Sequence, residues 1–82
     1  MTPRLRNLSG RQVVRVLAAH GFVLVGTRGS HAKLRRLVTG SAPQVLTVPL
    51  HKALAPGTLH AIYRQACRYI PEHVLREDFF SP

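Results

Sequence analysis

Between Gly21 and Pro49 the chain carries three short extended runs with too little sequence between them for a crossover, and this dictates an antiparallel meander. Phe22 to Val25 is β-branched and aromatic. His31 to Val38 alternates: His31, Lys33 and Arg35 share one face, and Ala32, Leu34 and Val38 the other, with Arg36 breaking that second face near the end. Gln44 to Val48 is the third run, stopped by Pro49. Turn signals at Arg28-Gly29-Ser30 and at Gly40-Ser41-Ala42-Pro43 separate the three.

Helical periodicity flanks the meander. Ser9-Gly10-Arg11-Gln12 is a capping-box pattern, and Leu8 and Val13 are spaced for a hydrophobic staple. Val13, Val14, Val16, Leu17 and His20 then fall on one side, with Arg11 and Arg15 facing away. Gly21 suits a left-handed C′ position, which brings Phe22 onto Leu17 and bounds the helix at about Gly10 to His20. After a loop from Leu50 to Ala55, Pro56 fits the first turn of a second helix. Its apolar stripe is Leu59, Ile62, Tyr63, Ala66 and Ile70; Arg64 and Arg68 lie outside it, and Cys67 sits at its edge as a packing residue. Pro71 ends that helix, and Pro71 to Phe79 suits a short third one with Glu72 near its positive end.

The expected fold is α+β in the order α-β-β-β-α. Two helices cover one face of a three-stranded antiparallel sheet, and the other face is wet. This is the element order of a double-stranded-RNA-binding domain. A length of 82 residues is enough for one domain, residues 1–82.

Charge narrows the function. The net charge is +9, and the three acids are Glu72, Glu77 and Asp78, so residues 1–71 hold no carboxylate side chain. Ten of the twelve basic residues are Arg, whose planar fork grips phosphate in a bidentate way. Such a body fits a polyanion, most simply nucleic acid. The missing carboxylates speak against a magnesium-dependent nuclease and against a glycosidase-type acid pair. Any chemistry in the body of the chain therefore falls to histidine. His20 lies on an apolar stripe and suits a structural role, His60 and His73 have no special context, and the five histidines lack the paired spacing of a zinc site. No metal or other cofactor is expected. The single cysteine excludes an internal disulfide, and neither a signal-peptide core nor a membrane-length apolar run is present. The expected compartment is the reducing cytoplasm.

Four blocks in order carry a family resemblance. They are Gly21-Phe22-Val23-Leu24-Val25; Gly29-Ser30-His31; Val48-Pro49-Leu50-His51; and Pro56-Gly57-Thr58-Leu59, followed by Ile62 and Arg64-Gln65-Ala66. Together they resemble the HicA family of toxin–antitoxin toxins. The hairpin between the second and third strands, longer than is common, Leu34 and Cys67 depart from that family's usual pattern; these changes touch packing and a helix end, not the histidine. The resemblance implies a double-stranded-RNA-binding-like fold, cleavage of messenger RNA, and a HicB-like antitoxin that holds the toxin inactive. The family's catalytic histidine follows a Gly-Ser pair, which corresponds to His31.

RNA carries its own nucleophile, the 2′-hydroxyl, so a metal-free ribonuclease needs proton transfer and positive charge around the phosphorane. Histidine titrates near neutral pH and serves either proton role. Lys33 and Arg35 would grip phosphate on the same face as His31, with Arg28, Gly29 and Ser30 on the preceding turn. His51 is a candidate acid and Lys52 a source of charge. In-line attack would leave a 2′,3′-cyclic phosphate. The alternative is a non-catalytic RNA-binding module of the same fold. An antitoxin that buries the basic face should be negatively charged there.

Overall fold

The structure is a computed structural model and describes residues 2–82. Its elements are β1 (Arg4–Leu5), α1 (Gly10–Ala19), β2 (Val23–Arg28), β3 (His31–Arg36), β4 (Gln44–Pro49), α2 (Pro56–Ala66), α3 (Glu72–Phe79) and β5 (Phe80–Ser81). β2, β3 and β4 form an antiparallel sheet in that order, the expected meander with helices on one face. The expected α+β class and α-β-β-β-α order are observed, and the short third helix expected over Pro71 to Phe79 is α3.

α1 begins and ends as its sequence dictates. The Ser9 hydroxyl accepts from the Gln12 amide at 3.1 Å, and Gln12 Oε1 accepts from the Ser9 amide at 2.8 Å, completing the capping box. At the other end Gly21 has φ +92°, its N–H donates to Ala18 O, and the Phe22 N–H donates to Leu17 O. That is a Schellman motif, and it puts Phe22 in the core ahead of β2 rather than in the strand.

Alternation sorts the sheet. Ala32, Leu34, Leu46 and Val48 are buried under α1 and α2, while His31, Lys33, Arg35, Val45 and Thr47 are exposed. The buried side joins Val13, Leu17, Leu59, Ile62, Tyr63 and Ala66 in one core, which α3 completes with Leu75 and Phe79.

Boundaries differ from the sequence reading in four further places. β4 takes in Pro49, opposite His31, instead of stopping at Val48, since an edge strand tolerates a proline. β2 runs on to Arg28 through a bulge between Leu24 and Gly26, so the hairpin turn is Gly29-Ser30 alone. Gly29 at φ +60° supplies the positive dihedral that a two-residue hairpin turn needs at its first position. β3 stops at Arg36, opposite Gln44, and Leu37 and Val38 lie beyond it, exposed. α2 stops at Ala66, so Ile70, though buried, follows it in a tighter turn closed by Tyr69 N–H to Ala66 O and Ile70 N–H to Ala66 O. Proline at 71 disfavours helical geometry at residue 70 and so forbids a continuous helix into α3. The terminal pair β1–β5, Arg4 opposite Ser81 and Leu5 opposite Phe80, has no counterpart in the sequence reading.

Candidate functional site

The open face of the sheet is built from three cross-strand rows. Arg28, His31 and Pro49 form the first; Gly26, Lys33 and Thr47 the second; Val23, Arg35 and Val45 the third. Directly opposed residues share a face, so the period of two in β3 carries His31, Lys33 and Arg35 outward together. A two-residue hairpin places Arg28 directly opposite His31. On its other side His31 opposes Pro49, and the Leu50 N–H donates to Ser30 O at 2.6 Å, fixing the β4 end against the hairpin.

The segment after β4 is anchored from α1. The Gly10 N–H donates to His51 O at 2.9 Å, and the Leu54 N–H donates to Leu8 O at 3.0 Å. A Cβ on Gly10 would overlap the Pro49 carbonyl oxygen, so only glycine lets the helix start this close to the strand end.

An open depression of about 420 Å³ lies on this face, lined by Val25, Gly26, Thr27, Arg28, His31, Lys33 and Thr47. Of the site residues read from the sequence, Arg28, His31 and Lys33 meet here. Gly29 and Ser30 form the turn beside it, and Arg35 lies one row further along β3. His51 and Lys52 do not line it; both are exposed on the anchored segment, where the His51 carbonyl has a structural bond. Val25, Gly26, Thr27 and Thr47 were not legible as site residues. The signal that could have pointed to them is a glycine, Gly26, directly after the extended run Phe22 to Val25.

The face is electrostatically unbalanced. Among the described residues the ion pairs are His20–Asp78 at 3.3 Å and Arg76–Glu72 at 3.2 Å, both away from the open face. Arg28, Lys33 and Arg35 therefore keep uncompensated charge in water. His20 caps α1 and meets Asp78, a structural contact. Among the described residues no three His, Cys, Asp or Glu side chains converge. Cys67 is part-buried beside Tyr63, and burial pushes its thiol up from the ordinary value, as befits a packing residue.

A protein-family model described as the HicA toxin of bacterial toxin–antitoxin systems matches residues 10–66, from the first residue of α1 to the last of α2. Neither the curated proteins nor the solved structures give a match.

Proposed function

The chain belongs to the HicA toxin family of bacterial toxin–antitoxin systems, and from that premise we propose that it is a metal-independent endoribonuclease that cuts messenger RNA on the open sheet face. The observation that carries this reading is His31. It is exposed, lies opposite Arg28 and two residues before Lys33 on the same face, and lines a depression with both. An imidazole flanked by two free cations meets the needs of phosphodiester transesterification: proton transfer at the reacting oxygens and charge around the phosphorane.

In this reading the 2′-oxygen attacks phosphorus in line, the bond to the 5′-oxygen breaks, and a 2′,3′-cyclic phosphate and a 5′-hydroxyl result. His31 handles one of the two proton transfers and water completes the other. His51 lies outside the depression, which argues against it as the partner acid. Arg28 and Lys33 hold the phosphate; Arg35 guides the strand along β3.

A toxin of this family has a cognate antitoxin. We infer that this antitoxin covers the same face and presents acidic groups to it, since no carboxylate of the chain balances that face. The site of action is the cytoplasm, where messenger RNA is found.

The test is cleavage of a defined single-stranded RNA in EDTA by the natural protein and by His31→Ala. Because His31 is exposed, the substitution should leave the thermal melt unchanged. Cutting that disappears in the variant, with cyclic-phosphate ends, is expected. Products ending in a plain 3′-hydroxyl would overturn the mechanism. Equal binding without cutting by either protein would favour the non-catalytic RNA-binding module.

A further inference from the structure

Gly26 has no structural reason to be glycine. Gly21, Gly29 and Gly40 have positive φ, and Gly10 is pressed against Pro49. Gly26 lies in the interior of β2 without positive φ, and a Cβ built on it meets nothing within 4 Å. The neighbouring bulge does not demand glycine either, because a bulge does so through a left-handed residue. Glycine weakens a strand, and an interior one often marks close approach by a ligand.

What a side chain at position 26 would occupy is the depression itself. Gly26 lines it beside Val25 on β2 and in the same cross-strand row as Lys33 and Thr47. Apolar surface from Val25 and Gly26 next to the cations Arg28 and Lys33 matches the division of chemistry found in a nucleotide. We propose that this depression is a subsite for a single unstacked nucleobase of RNA, kept open by Gly26, while Arg28 and Lys33 hold the adjoining phosphates. The proposal rests on the reading of the open face as an RNA surface. A volume of about 420 Å³ admits one base with its ribose, and an extruded base is available in single strands rather than in duplex. The lining has no Phe, Tyr or Trp to stack on, so contact with the base in the His31→Ala protein is by van der Waals packing on Val25 and Gly26, with the Thr47 hydroxyl able to bond a base edge.

The test uses full-length protein carrying His31→Ala, so that RNA stays intact, with and without Gly26→Val. The probes are a short single-stranded RNA and an abasic ribose-phosphate chain of the same length, compared by fluorescence anisotropy. The parent should bind the base-bearing RNA roughly tenfold tighter than the abasic chain, the effect of burying one base face on apolar surface. Gly26→Val should erase that preference and leave abasic binding unchanged. Gly26→Ala, whose methyl meets nothing and whose melt should match the parent, should weaken the preference partially. Equal binding of both probes by the parent, undiminished preference in both Gly26 variants, or no binding of either probe overturns the subsite. The ribonuclease reading fails separately, if protein with native His31 leaves the RNA uncut, and that result does not alter the binding comparison.

Discussion

Arg36 follows two outward-pointing cations in β3 and turns the other way. Its Nε donates to Gln44 Oε1 at 2.8 Å, its Nη1 to His20 O at 3.0 Å and its Nη2 to Tyr69 O at 2.6 Å, while the guanidinium sits 5.0 Å from the centroid of Phe22. One planar fork thus satisfies carbonyls beyond the ends of α1 and α2 and ties both to the sheet. Positive charge is also favourable at helix C-termini. Replacing Arg36 with Met should cost about 2–4 kcal/mol in urea unfolding, since partly buried carbonyls lose charged donors. Lysine, lacking the fork, should not restore it. The sequence marks Arg36 as an inward exception, but its partners lie 16 and 33 residues away and no local pattern names them. His31, by contrast, was legible because its neighbours are local: a hairpin turn and strand alternation suffice to set it beside Arg28 and Lys33. Burial raises both Tyr63 and Cys67 above their ordinary values of 10.0 and 9.0. Each group is held protonated more firmly in the folded state, so its contribution is complete below the ordinary value and lost as pH rises through the raised one. Melting temperature should therefore begin to fall as pH climbs past 9, through Cys67, and fall further past 10, through Tyr63. Alkylation of Cys67 by iodoacetamide at neutral pH should be slow until the protein unfolds; rapid modification of the native protein would contradict the packing assignment.

At the scale of elements, what the sequence announced was what short-range rules govern. The capping box of α1 and its Schellman end appear atom for atom, because each needs only residues three to five apart. Ser9→Ala removes one acceptor from that cap and should lower stability by about 1 kcal/mol, measured by chemical denaturation. The elements that escaped are the ones decided at long range. β1 and β5 are each two residues long, too short to show a period, and pair across almost the whole chain. The bulge in β2 depends on its register with β3, and the end of α2 on a turn that its apolar stripe runs straight through. β2 also shows where the helical layer ends: Leu24 opposes buried Leu34 yet is 49% exposed. That strand is an edge with an open row of backbone groups, and its bulge disrupts the flat template that other chains would pair with.

For the molecule as a whole, charge is segregated by sequence and by structure. Every acid lies in α3, and Glu72 and Asp78 are engaged by Arg76 and His20, so the rest of the surface repels its own kind and attracts polyanions. A net charge of +9 would bind RNA weakly anywhere, and the question is whether the open sheet face dominates. Salt dependence answers it. Single-stranded RNA held by Arg28, Lys33 and Arg35 alone releases counterions from about three phosphates, which gives a slope of log affinity against log salt near −2. Lys33→Ala should then reduce the slope to about −1.4 and weaken binding at every salt concentration. RNA spread over the whole basic surface would instead engage most of the twelve cationic side chains. Its slope would be several times steeper, and loss of Lys33 would barely change it. A shallow slope sensitive to Lys33 therefore locates binding on the open sheet face, independently of whether the bound strand is cut there.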